Sequence, residues 1–278
     1  METNVFFKYR SITACMKEAY DLVSDNIKPL VKATWWAFAL YAILMATTLY
    51  FRLPDKQLHD WGLTHPWSSY IVQTIIYLAT WIASFVAGAS LWKWINHQSL
   101  LRNLGRVALL TIVSDVIVFI ITAIYPVATA SLSLVWSIVI GCVLVIVALV
   151  LYLPFAHVMP AWLLSDSVNV FHPWASYKQG LRHLGSILLL GFLSLLIIGI
   201  LSALILLPAM VLTWAQLSSQ LGALNGDPLG VPVYFTPLLI VVFVVSMFIL
   251  FYVASWMLLA LVYLYGSNVE KDKKGKES

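Results

Sequence analysis

A single acidic residue, Asp115, lies well inside an apolar stretch long enough to cross a lipid bilayer, and no such stretch has a Lys or Arg in its interior. Burying an unpaired carboxylate in hydrocarbon is costly. Asp115 is therefore expected to face other helices or a water-filled cavity, or to be protonated. Ser114 and Thr111 lie beside it in sequence. Two chemistries fit this group: a proton or cation site, or a structural hydrogen bond to a hydroxyl on a neighbouring helix.

A second group surrounds the end of another apolar stretch. His157 sits between Pro154 and Pro160, and Asp166, His172 and His183 follow. Prolines six residues apart interrupt a helix and free backbone carbonyls, a device of transport sites. Three histidines and a carboxylate could also suggest a metal, but their spacing matches no compact ligand motif such as paired His at i and i+4. The alternative is a set of interfacial side chains satisfied by water and carbonyls. There is no Gly-x-Ser-x-Gly elbow, no His-Glu-x-x-His and no phosphate loop. Hence no catalytic residue, no metal and no cofactor is expected.

The elements that must position these residues are set by composition. The chain is 62% hydrophobic and 10% charged, with a mean hydropathy of +0.91. Soluble domains carry about 45–50% apolar and about 25% charged residues. Spanning hydrocarbon takes about 20 apolar residues, and six stretches qualify: 33–50, 67–92, 107–125, 131–158, 186–214 and 233–265. They are continuous rather than alternating, which points to helices and not to a barrel. The fold class expected is an all-α integral membrane bundle of six transmembrane helices.

Lys and Arg set the orientation. Five precede the first stretch, three lie between the second and third, two between the fourth and fifth, and four follow the sixth; the opposite side has only Arg52 and Lys56. The positive-inside rule puts both termini in the cytoplasm. The first thirty residues mix Lys8, Arg10, Lys17 and Lys28 with Glu18, Asp21 and Asp25, unlike a signal peptide. Basic residues distributed by topology favour lipid headgroups over nucleic acid as counterions. Cys15 and Cys142 are too few for a disulfide framework.

Before each odd-numbered span lies a short amphipathic segment. The first begins at a candidate N-cap, Ser11, and sets Ile12, Met16, Ala19 and Val23 on one face. The second is 99–105, with Leu100, Leu101 and Leu104 beside Arg102. The third starts at His172-Pro173 and aligns Trp174, Tyr177, Leu181 and Leu184. Leu101-Arg102-Asn103-Leu104-Gly105 is matched by Leu181-Arg182-His183-Leu184-Gly185. These features predict three units, each an interfacial helix followed by a helical hairpin. The expected organisation is a cytoplasmic N-terminal helix over 1–32, a six-helix domain over 33–265 and a disordered tail over 266–278. The breaker-rich stretch 218–237 reads as an exposed loop.

The layout resembles bacterial six-span proteins grouped with the membrane domain of glycerophosphodiester phosphodiesterases and the YciC-like inner-membrane proteins. The resemblance rests on Ser11-Ile12-Thr13-Ala14-Cys15-Met16-Lys17-Glu18-Ala19-Tyr20, and on Pro160-Ala161-Trp162-Leu163-Leu164-Ser165-Asp166 leading into Ala175-Ser176-Tyr177-Lys178-Gln179-Gly180. It implies a bacterial inner-membrane location and a membrane module. The phosphodiesterase catalytic domain has no counterpart in these residues, so that activity does not carry over. The expectation is a non-enzymatic membrane or envelope module that contacts lipids, with a partner protein or a second copy. The rivals are a small transporter using Asp115 and a lipid-modifying enzyme near His157 and Asp166.

Overall fold

The computed structural model describes residues 5–52, 67–129, 133–164, 174–226 and 230–277. Among them are nine helices and no strand: α1 Ile12–Asp25, α2 Ile27–Arg52, α3 Trp67–Asn96, α4 Leu100–Thr129, α5 Leu134–Tyr152, α6 Phe155–Leu164, α7 Trp174–Arg182, α8 Leu184–Leu224 and α9 Phe235–Glu277. Six stretches are long and apolar enough to cross a membrane: Ile27–Phe51, Tyr70–Asn96, Leu100–Pro126, Val135–Leu164, Leu184–Gly222 and Phe235–Gly275. These are the spans of a multi-pass membrane protein.

Four features differ from the sequence reading. The 99–105 segment is not a separate helix, since Leu100 opens α4 and the helix runs on without a break. The fourth span is divided. Pro154 has no N–H to donate, so α5 stops at Tyr152 and α6 starts at Phe155. The tail expected to be disordered is helical, because α9 continues through Asn268 to Glu277. Extending an existing helix avoids the cost of nucleation, and a 43-residue helix is about 65 Å long. That is about twice the hydrocarbon thickness, so its last turns emerge as helix. The 218–237 loop is likewise shorter than expected. The α8 helix holds through Leu224, and Gly226 takes a left-handed φ of +88° just beyond it.

The chain divides into two compact units, which are Met1–Ile27, Leu91–Leu195 and Trp256–Ser278, and Lys28–Ser90 with Leu196–Ser255. The second unit is packed through aromatic and hydroxyl contacts. Phe38 lies 5.0 Å from both the Phe251 and Tyr252 rings, and Tyr41 lies 4.7 Å from Phe251. Thr48 and Thr80 hydroxyls pair at 3.3 Å, and Ser246 Oγ donates to the Ile205 carbonyl at 3.0 Å. Ala37, Ala42 and Ala46 are buried along α2, where small side chains let helices approach closely.

In the first unit the two ends of the chain are stitched together. Ser11 caps α1, its Oγ accepting from Ala14 N–H at 3.3 Å. Cys15, Met16 and Ala19 form the buried face of α1, and Trp256 Nε1 donates to the Met16 carbonyl at 3.0 Å. Arg10 N–H donates to Ser267 Oγ at 2.9 Å, and that hydroxyl donates back to the Arg10 carbonyl at 2.9 Å. Gly266 is required here, since a Cβ at that position would collide with the Phe6 carbonyl.

Candidate functional site

The polar groups of the first unit gather at helix ends, and proline and glycine determine where. The break at Pro154 leaves the Leu151 carbonyl without its helical partner, and Tyr177 of α7 donates its hydroxyl there at 3.2 Å. Gly180 lets α7 lie against the break, where a Cβ would sit 2.8 Å from the Pro154 carbonyl oxygen. Phe155 and Tyr177 rings meet edge-to-face at 5.6 Å. The close approach of α7 to α6 brings His157, in the first turn of α6, toward His183 at the α7–α8 junction. Their rings stack at 6.3 Å, with 16° between planes.

His183 is held on both sides. Its carbonyl accepts from Ser186 N–H at 3.0 Å and Ser186 Oγ at 2.8 Å, which starts α8. Its Nε2 lies 3.0 Å from Asp272 Oδ1, near the end of α9. His157 is 2% exposed; neither ring nitrogen makes a hydrogen bond of regular geometry among the described residues, and the backbone of Ser176 is the polar group that approaches the ring. Tyr265 meets it edge-to-face at 4.8 Å. The carboxylate orients the His183 ring, while His157 fills the space behind as a flat, largely apolar body. No hydroxyl or thiol nucleophile is hydrogen-bonded to either ring among the described residues, and no three His, Cys, Asp or Glu side chains there could hold a metal ion.

A second polar lock lies at the α3–α4 turn. Asn96 and Asn103 exchange side-chain amide hydrogen bonds at 2.9 and 3.0 Å. Asn96 Nδ2 also donates to the Leu163 carbonyl at 3.1 Å, and its Oδ1 accepts from Gln98 N–H at 3.0 Å. Arg106 Nη1 reaches the Trp162 carbonyl at 3.1 Å. The bonds around Asn96 hold a turn in which His97 adopts a φ of +55°, a left-handed conformation that costs about 1–2 kcal/mol for a residue other than glycine.

Of the residues singled out from sequence, His157 and His183 are brought together, while Asp166 and His172 lie outside the described residues. Asp115 is exposed on α4, with Ser114 and Thr111 half-buried; the Thr111 hydroxyl bonds its own helix at the Val107 carbonyl, 2.9 Å away. Asp272, the partner of His183, had no sequence signal: it is 89 residues away, in a segment read as disordered. At the other end of the unit, burial pushes the Cys15 thiol up to about 11 against the opposing pull of Arg10, so it stays neutral and inert near pH 7.

No protein-family model matches the chain, no curated protein matches it, and no solved structure matches it.

Proposed function

We propose that this chain is a non-enzymatic multi-pass module of the bacterial inner membrane, with both termini cytoplasmic and its spans arranged as three hairpins. The resemblance to the phosphodiesterase membrane domain and YciC-like proteins enters as part of this proposal. The observation that carries it is the stitching of the two ends, in which Arg10 and Ser267 exchange hydrogen bonds and Trp256 bonds to Met16. Ends joined this way belong on one side of the membrane, as six crossings require, and the Lys and Arg distribution assigns that side to the cytoplasm.

The spending of polar groups supports a packing role over a chemical one. Asn96, Asn103, Arg106 and His183 each bond to a neighbouring segment. Transport would need Asp115 to line an enclosed path, and its exposed place on α4 lends that reading no support. Reporter fusions at the two ends and after Lys56 test the topology. Cytoplasmic activity at both ends with the opposite signal after Lys56 is expected, and ends on opposite sides would sink it. Deletion of the chain should leave lipid composition unchanged by mass spectrometry; loss or accumulation of one lipid class would replace this reading with the enzymatic one.

A further inference from the structure

The outward face of α7 is built for an anion at a membrane surface. Its inner face is occupied: Gly180 lies on Pro154, and Tyr177 bonds to Leu151. The outer face presents Trp174 at 62% exposure, Leu181 at 40%, and the exposed side chains of Lys178 and Arg182. Residues 174, 178 and 182 follow one row at helical spacing, with Leu181 beside it. Large apolar side chains left exposed on so short a helix suit the headgroup layer, where Trp concentrates.

The charges select the headgroup. The sequence of α7 contains no acidic residue, and two like charges four residues apart repel unless an anion lies between them. No carboxylate among the described residues lies within ion-pair distance of Lys178 or Arg182, and Asp272 on α9 is engaged by His183. Lys178 Nζ sits 5.7 Å over the Trp174 ring, which holds the ammonium against an aromatic face at the surface. Leu184, two residues after Arg182, opens a span, so the cations stand where a bilayer surface would meet the chain.

We infer that the outer face of α7 docks the phosphate headgroup of an anionic phospholipid, Lys178 and Arg182 meeting the phosphate while Trp174 and Leu181 enter the boundary with the acyl chains. The inference rests on the multi-pass membrane reading and deepens it by naming the lipid class and its contacts.

The test uses the full chain in phosphatidylcholine nanodiscs containing a minor fraction of phosphatidylglycerol, with retained lipid counted by native mass spectrometry after gentle release. Wild type should be enriched in phosphatidylglycerol. The double variant Lys178→Gln, Arg182→Gln should lose about tenfold of that enrichment, since each cation near an anionic surface contributes several-fold. Lys17→Gln on α1 should not change it. The exchange Lys178→Arg, Arg182→Lys keeps both charges and should retain enrichment, which separates loss of the site from loss of the fold. Equal enrichment in wild type and double variant overturns the inference, as does an equal loss in the exchange variant. Displacement of the lipid by millimolar inorganic phosphate would show an anion site that is not lipid-specific and would also overturn it. None of these outcomes depends on where the termini lie, which the reporter fusions decide independently.

Discussion

Two short helices each precede a span, α1 before α2 and α7 before α8, and they handle their apolar residues in opposite ways. In α1 the apolar face of Cys15, Met16 and Ala19 is covered by protein, with Trp256 bonded to it. Its outer face carries Glu18, Asp21 and Asp25 beside Lys17, and Glu18 meets Arg10 at 3.5 Å. In α7 the covered face is the one with Tyr177 and Gly180, while Trp174 and Leu181 remain outside with two cations. Equal sequence periodicity therefore has two outcomes. An amphipathic pattern shows that one face will be buried, but the charge beside it and the available neighbour decide whether protein or lipid covers it.

The contrast can be broken most severely at its two glycines. Gly266→Val would push the Phe6 segment off α9, and Gly180→Val would lift α7 from the Pro154 break. Each should cost about 3 kcal/mol, the upper end of overpacking. The two are told apart by protease mapping: Gly266→Val should open cleavage near α1 and leave α7 protected, and Gly180→Val should do the reverse. Cleavage spread equally over both helices in either variant would contradict independent docking.

Next in size is the thiol of Cys15. A pKa raised to about 11 means that alkylation by maleimide is slow at pH 7 and climbs as the pH approaches 11, because the thiolate is the nucleophile. In the Gly266→Val background the thiol should return toward about 8.5 and react near neutral pH. Smaller still is Trp256→Phe, which removes one hydrogen bond to Met16 and should lower stability by about 1 kcal/mol in thermal unfolding. Asp272→Asn weakens the contact with His183 and should have a similar effect of about 1 kcal/mol, read out as increased fraying of the end of α9 in hydrogen exchange.

What was legible in the sequence follows from the range of the forces involved. The spans are local, so runs of apolar residues located all six and Ser11 announced the start of α1. The five-residue match between 101–105 and 181–185 placed Asn103 and His183 at equivalent positions, and both turn out to bond to another segment of the chain. The same match hid a difference. Residues 101–105 sit inside an uninterrupted helix, whereas α7 ends at Arg182 and α8 begins at Leu184. Long-range partners were out of reach: Asp272 for His183, Ser267 for Arg10 and Trp256 for Met16 depend on packing between distant segments. The stretch 266–278, expected as a disordered tail, is carried along as far as Glu277 by the helix already formed upstream, and Glu270 pairs with Lys273 at 3.3 Å.

Tyr20 on α1 and Trp174 on α7 are both 62% exposed, which makes them a matched pair. Nitroxide labels at the two positions, in a variant lacking Cys15 and Cys142, can be compared in reconstituted bilayers by their relative accessibility to oxygen and to a water-soluble nickel complex. The label at 174 is expected at headgroup or acyl-boundary depth and the label at 20 in water. Equal depths, or a buried label at 20 with a solvated one at 174, would contradict the assignment of protein to one helix and lipid to the other.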